Sequence, residues 1–264
     1  MTSISASLVK ELRDLTGAGM MDCKRALEET GGDLEAARAF LREKGMAAAG
    51  KRAARETTEG KVLVRVDGMS AAIVAVGCET EPVSKNVEFV AFAGRVLDVV
   101  AAGGSETAES LEAERVELVA KIGENIAIRG AARLEAQDGE TLAAYVHPPA
   151  GKLGVLIQAN ASPELARLVA MHISFANPRY LTRDEVSEQE VAEERAIYEK
   201  LPNVAAKPEH IRPQIVEGMM QKRFYAESVL LDQTWIHDDS LTVGKALAEH
   251  GAEVRHFVRY ALAG

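Results

Sequence analysis

The sequence has little cysteine, no long apolar run and no excess of positive charge. Its two cysteines, Cys23 and Cys78, stand far apart, which indicates a reducing compartment rather than a disulfide framework. No apolar run approaches the roughly 20 residues that a membrane span needs. Residues 1–14 also lack the apolar stretch of a secretory signal peptide. We therefore expect no membrane contact and a cytoplasmic location.

The shortage of positive charge bears on the class of partner. The formal net charge is −9, and binding along nucleic-acid phosphates needs clustered lysine and arginine. We therefore expect no direct contact with nucleic acid. A chain of 264 residues with 47% hydrophobic and 27% charged residues suits a globular protein of about two or three domains.

The sequence motifs of common catalytic and metal sites are absent as well. There is no HExxH, no GxSxG and no metal-spaced Cys/His cluster. Residues 45–51, GMAAAGK, match most of a phosphate-binding P-loop, but Arg52 stands where Ser or Thr must ligate magnesium. His237 and its two neighbouring aspartates are more typical of a solvated loop than of a metal site. We expect a binding protein without cofactor or metal, and a small-molecule enzyme is a distant alternative.

Residues 4–44 show the spacing of three short helices. Leu8, Leu12 and Leu15 recur at helical intervals, and the segments TGAG at 16–19 and GGD at 31–33 separate the helices. We assign residues 1–45 to a three-helix domain. Residues 46–59 are rich in alanine and charge without a clear apolar face, which predicts a linker with some helix.

The rest of the chain contains a repeat. The first copy, residues 60–140, has two strand-like runs around an Asp67–Gly68 turn, then two helices and a strand. The second copy, residues 141–264, follows the same order, and its first helix carries His172 on the apolar face, where a core histidine is more common than a ligand. The pattern predicts an α+β fold with a duplicated β-β-α-α-β core, each copy an antiparallel sheet covered by helices.

An insertion at about 184–222 interrupts the second copy. Residues 184–200 carry seven acids and two bases, and Pro202 and Pro208 break the segment that follows. Helical spacing resumes at Ile211, so we predict a projecting helical hairpin. A solvated charged face explains the first arm well and the second, more apolar arm less completely.

Four segments carry a resemblance to one family. LRDLTGAGMMDCKRAL at 12–27 strongly resembles the N-terminal signature of the elongation factor Ts family, and CETEPVSKN at 78–86 occupies the place of its second signature. KIGENIAIR at 121–129 and AMHISFANPRYL at 170–181 are similar to the family too. The resemblance spans almost the whole chain in the family's order.

The resemblance implies a fold and a function. The fold would be a ubiquitin-associated-like three-helix domain, a two-subdomain core and a coiled-coil hairpin. The function would be to release GDP from the GTPase elongation factor Tu in translation. The N-terminal domain and core would grip the GTPase, and an aromatic side chain after the first hairpin would wedge between GTPase helices near the magnesium site.

The resemblance also implies partner-binding residues. Those in the N-terminal domain are Arg13, Met20 and Met21, and Ile122 and Gly123 would meet the GTPase near its phosphate loop. The wedge loop would contribute five residues, and two histidines would lie at positions of partner contact: Glu79, Thr80, Glu81, Pro82, Val83, His147 and His172.

The wedge loop departs from the family pattern at three positions. Glu81 replaces its Asp, Pro82 its Phe and Ser84 its Ala. Losing a buried aromatic ring can forfeit roughly 1.5–3 kcal/mol. Pro82 could act as a smaller rigid wedge, Val83 could supply more of the apolar contact, or the partner's pocket could differ. The leading hypothesis is nucleotide exchange, and the alternative is a weakly exchanging chaperone or assembly partner of the GTPase.

Overall fold

Residues 4–262 are described by a computed structural model, in which three helices come first: α1 (Ala6–Thr16), α2 (Met20–Glu29) and α3 (Leu34–Arg52). Ser5 and Asp33 cap α1 and α3 by accepting hydrogen bonds from backbone N–H groups three residues on. The three helices agree with the prediction, and their ubiquitin-associated-like character stays a prediction. Residues 1–3 and 263–264, the ends of the first and last predicted domains, lie outside the described residues.

Helix α3 is longer than the sequence pattern indicates. It continues to Arg52, into the segment 46–59 that we expected to be a linker. Alanine is the strongest helix former, so this alanine-rich stretch extends the helix readily. Ala49 is buried in the hydrophobic cluster of the first copy, which also includes Phe89, Val96 and Val119 and is called here the first core cluster. A Cβ on Gly45 would lie 2.8 Å from the Cβ of Ala120 on a core helix. The second half of α3 therefore packs on the core, and only residues 53–58 connect α3 to the first strand.

The first core copy is a three-stranded antiparallel sheet covered by helices. The strands β1 (Glu59–Asp67), β2 (Ser70–Cys78) and β3 (Ile126–Glu135) pair in the order β1-β2-β3. The helices are α4 (Glu81–Ser84), α5 (Val87–Gly103) and α6 (Glu112–Ile122), with a 3-10 helix at Ser105–Leu111. Val74 and Val76 on β2 face Phe89 and Phe92 on α5, so one face of the sheet is buried against the helices.

The second copy repeats this arrangement. The strands β4 (Thr141–Val146), β5 (Leu153–Asn160) and β6 (Glu253–Ala261) form another antiparallel sheet in the order β4-β5-β6. Helices α7 (Pro163–Ala176) and α12 (Val243–Glu249) cover one face. Each copy thus has the order β-β-α-α-β that the repeat predicts.

The two sheets pack against each other through their other faces. Val62 and Ile73 of the first sheet share a buried cluster with Leu142 and Leu156 of the second. Successive side chains of a strand point to opposite faces of its sheet. The side chains of β2 therefore alternate between the helices on one face and the second sheet on the other. The core therefore has four layers, with the sheets inside and the helices outside.

The insertion is helical and has a hydrophobic cluster of its own. It contains α8 (Glu188–Glu199), α9 (Pro202–Ala205), α10 (Arg212–Met219), a π-helical stretch (Met220–Tyr225) and α11 (Ala226–Ser228). Tyr198, Val216, Met220 and Phe224 are among the residues buried in its cluster. This packing explains the apolar second arm, and the helical path runs to Ser228, beyond the predicted end near 222. A coiled-coil geometry stays a prediction. Within residues 4–262, no helix is both long enough and apolar enough to cross a membrane.

The packing of α3 on α6 predicts different outcomes for two glycines of α3. Gly45→Leu should lower the free energy of unfolding by roughly 1–3 kcal/mol, because the side chain overpacks the contact with Ala120. Gly50→Leu should leave it unchanged or raise it by up to about 1 kcal/mol, because a Cβ there meets open space and Gly is a poor helix former. Urea unfolding followed by circular dichroism measures both. Equal stabilities of the two variants would contradict this packing.

Candidate functional site

The loop that follows β2 presents a short exposed helix. Strand β2 ends at the buried Cys78, and α4 begins at Glu81 with Pro82 in its first turn, where a missing N–H costs nothing. Glu81 and Pro82 are exposed, whereas Val83 is half-buried against the first core cluster. Glu81 and Pro82 therefore face the surroundings, as Thr80 before them does.

The turn between α6 and β3 lies at the same end of the sheet. Gly123 ends α6 in the left-handed conformation, with φ of 85°, and its N–H donates to the carbonyl of Val119. Cys78 and Ile126 are antiparallel partners, so the residues after Cys78 and the residues before Ile126 meet. The structure thus brings the candidate residues Ile122 and Gly123 next to the wedge loop.

Direct hydrogen bonds join the loop to the turn. The Glu124 carboxylate accepts from the backbone N–H of Thr80 at 3.0 Å and from its hydroxyl at 2.6 Å. In the other direction, the backbone N–H of Asn125 donates to Oε1 of Glu79 at 2.6 Å. The side chains of Glu79 and Thr80 are consequently hydrogen-bonded to the turn, although Thr80 remains exposed to solvent.

The segment that follows α3 is also hydrogen-bonded to this turn. The side-chain amide of Asn125 donates to the carbonyls of Ala53, at 3.4 Å, and Arg55, at 2.8 Å. The Arg55 guanidinium lies 3.4 Å from the Glu79 carboxylate. Asn125 is only 3% exposed, and both its backbone N–H and its side-chain amide nitrogen have hydrogen-bond partners, as buried polar groups normally do.

The N-terminal candidates are exposed. Met20 and Met21 are 54% and 65% exposed, and Arg13 is exposed on α1. The turn before them adjoins the core, because a Cβ on Gly17 would overlap the Lys121 side chain. Lys121 immediately precedes Ile122, so this turn lies close to the C-terminal end of α6.

Burial and neighbouring charges shift the pKa values of two groups at the loop, Cys78 and Glu81. Burial, followed by the negative charge of Glu124, raises the pKa of the Cys78 thiol to about 12, so it stays protonated and donates to the carbonyl of Thr80. A hydrogen bond from Lys85, at 2.7 Å, lowers the pKa of the exposed Glu81 carboxyl. Across residues 4–262, no group of three or more His, Cys, Asp or Glu side chains is arranged to hold a metal ion.

The two candidate histidines lie in different surroundings. His147 is exposed after β4, with Nδ1 3.1 Å from the Tyr145 hydroxyl. His172 is fully buried, with Nε2 3.0 Å from Oε1 of Gln233, while the Ile236 N–H donates to Nδ1 at 3.4 Å. His172 is therefore a hydrogen-bonded core histidine, and its side chain is not available for direct contact with a partner.

Glu124 and Asn125 belong to this site, although the sequence pattern did not single them out. The sequence feature that could have indicated them is their position as a polar pair between Gly123, which ends α6, and the buried start of β3. Val87 is a further feature of the site, since it begins α5 just after the loop and is 81% exposed.

Burial lowers the pKa of His172 below its usual 6.5, which predicts an acid-sensitive core. The unfolded chain binds a proton at His172 at a higher pH than the folded chain does. Stability should therefore fall as the pH drops below about 6.5, by at most roughly 1.4 kcal/mol per pH unit. His172→Gln should flatten this part of the pH profile of unfolding free energy between pH 7 and 5. The matched variant at the exposed histidine, His147→Gln, should not, and equal profiles for the two variants would contradict the assignment.

Comparison with known proteins identifies the family. Residues 79–264 match the family model described as Elongation factor TS. Elongation factor Ts of Shewanella amazonensis is 43% identical over 261 residues, which cover 97% of this chain and 90% of that protein. Elongation factor Ts of Escherichia coli O139:H28 is 42% identical over 265 residues, which cover 98% of this chain and 92% of that protein. By its sequence along nearly its full length, the chain belongs to the elongation factor Ts family.

Proposed function

We propose that this chain is a guanine nucleotide exchange factor that releases GDP from elongation factor Tu so that GTP can bind. The observation that supports this most is a pair of hydrogen-bonded contacts, within a chain of the elongation factor Ts family. Glu79 and Thr80, just before the exposed Glu81 and Pro82, bind Asn125 and Glu124, just after Ile122 and Gly123. It would act in the cytoplasm, with the GTPase as its partner and without a cofactor.

Exchange requires a difference in binding rather than a chemical step. A protein that binds nucleotide-free GTPase more tightly than GDP-bound GTPase must weaken GDP by the same factor. A difference of about 4 kcal/mol corresponds to roughly a thousandfold. The protonated Cys78 thiol and the engaged Glu79 carboxylate agree with a site that moves no proton.

The candidate residues divide into four roles in this proposal. Arg13, Met20 and Met21 grip the GTPase, and methionine suits such a surface because it is flexible and polarizable. The exposed loop tip and the Ile122–Gly123 turn act near the nucleotide, and His147 adds a contact from the second core copy. Glu79 and Thr80 act through the loop that they anchor.

Pro82 replaces the aromatic wedge with a smaller and stiffer group. Its ring fixes φ, so the first turn of α4 loses little conformational freedom when a partner binds. Val87, exposed at the start of α5, offers apolar surface just after it. Together these two residues would supply the contact that a single ring supplies elsewhere.

The rate of GDP release from the cognate elongation factor Tu tests the proposal. The wild-type protein should accelerate release of a fluorescent GDP analogue in stopped-flow, and Pro82→Gly should lower that acceleration by at least fivefold, because the loop tip loosens and loses apolar contact. Pro202→Gly is the matched control, since Pro202 is also exposed in the first turn of a four-residue helix.

Two other results would change the conclusion. If the wild-type protein binds the GTPase without accelerating release, the chain is a binding partner and not an exchange factor. If Pro82→Gly and Pro202→Gly accelerate release equally, the loop tip is only a connection.

The grip by the N-terminal helices predicts a loss of affinity. Replacing Met20 and Met21 together by Ala should weaken binding to nucleotide-free elongation factor Tu at least tenfold, or about 1.4 kcal/mol. Met69→Ala is the control, because Met69 is also exposed but lies at the β1–β2 turn, at the opposite end of the strands from Cys78. Isothermal titration calorimetry measures both, and an unchanged affinity of the double variant would remove the docking role.

A further inference from the structure

Thr80 occupies a helix-capping position without capping the helix. It precedes α4 with extended backbone angles, φ −129° and ψ 152°, yet its side chain makes no capping hydrogen bond. Threonine in this position usually accepts a bond from an N–H of the first turn. Here the hydroxyl donates instead to Glu124, across 44 residues of sequence.

Glu124 and Asn125 grip the loop from the other side. Both oxygens of Glu124 are used, one for the Thr80 hydroxyl and one for the Thr80 N–H, so the carboxylate fixes side chain and backbone together. Hydrogen bonds to an ionised acceptor are stronger than neutral ones. The Asn125 N–H adds a charge-assisted bond to Glu79, which immediately precedes Thr80. We call Glu79, Thr80, Glu124 and Asn125 the clamp.

The clamp lies between the parts of the chain that would touch the GTPase. Thr80 is two residues from Pro82, and Glu124 directly follows Gly123. The Asn125 amide also binds the carbonyls of Ala53 and Arg55, where the chain leaves the N-terminal helices. One small set of contacts thus links the loop tip, the α6–β3 turn and the segment after α3.

We propose that Glu124 and Asn125 are positioning residues for nucleotide exchange, which hold the loop tip and the α6–β3 turn as one rigid unit. This inference rests on the proposed function. A tip that pushes on the GTPase can displace the nucleotide only if it does not yield. A protein with a loosened loop would still bind the GTPase through its N-terminal helices, but less of its binding free energy would weaken the affinity of the GTPase for the nucleotide.

The clamp can be loosened with nearly isosteric changes. Thr80→Val removes the hydroxyl that binds Glu124, and Thr80→Ser keeps it. Glu124→Gln removes the charge and leaves one acceptor oxygen for two donors. Glu117→Gln, at an exposed glutamate on α6, controls for the loss of charge. Cooperative thermal melting of each variant checks that the core remains folded.

The main readout is GDP release from elongation factor Tu at increasing concentrations of each variant. Thr80→Val and Glu124→Gln should each lower the maximal release rate at least fivefold, with the half-saturating concentration within twofold of the wild type. Thr80→Ser and Glu117→Gln should stay within twofold in both. The double variant Thr80→Val/Glu124→Gln should be no more than twofold slower than the slower single variant, because both changes break the same contact.

Amide hydrogen exchange of the protein without GTPase gives an independent readout. Segments 79–86 and 122–127 should exchange at least tenfold faster in Thr80→Val and Glu124→Gln than in the wild type. If these segments loosen while the maximal release rate is unchanged, the positioning role is overturned and the proposed function stands. If the wild-type protein itself fails to accelerate release, the proposed function and this inference fail together.

Discussion

The contact between the inner faces of the two sheets is the constraint on which the other parts of the core depend. A three-stranded sheet is stable only when an apolar face is covered, and each sheet here has two such faces. Val62 of β1 and Leu156 of β5 meet at this contact, and the sheets come so close that a Cβ on Gly154 would lie 2.5 Å from Cγ1 of Val62. Small residues on the inner faces, such as Ala71 and Ala75, allow the same close approach. Each sheet is therefore fixed on both sides.

The fixed sheet determines where the candidate site can form. Antiparallel pairing of Cys78 with Ile126 aligns the end of β2 with the start of β3, so the loop after one strand and the turn before the other must be neighbours. The clamp uses this proximity, and the exposed Pro82 stands only two residues beyond the anchored Thr80. The apolar contact between the two sheets thereby determines where this surface loop lies.

The sequence predicts the repeat well because alternation in strands and the 3.6-residue period in helices are local signals. It predicts the end of α3 poorly, since Ala49 and Gly45 pack on α6 without forming a large apolar face. The burial of His172 was foreseeable from the apolar face around it. The clamp was not foreseeable, because a hydrogen bond between Thr80 and Glu124 depends on the three-dimensional meeting of two turns and has no periodic signature.

Because Pro82 offers less apolar surface than an aromatic ring, the stiffness of the loop matters more for its binding to a partner. A proline ring buries less apolar surface than phenylalanine, so part of the roughly 1.5–3 kcal/mol of a buried ring must come from elsewhere if exchange is to be fast. In the proposed exchange, Val87 would be a source of that apolar contact, because it begins α5 directly after the loop and is 81% exposed. The rest can come from a loop that is already ordered, since ordering it on binding would cost free energy. In the proposed exchange, a fixed proline and an anchored threonine would reduce that cost from both sides of Glu81, so the departure at Pro82 and the clamp would serve the same physical requirement.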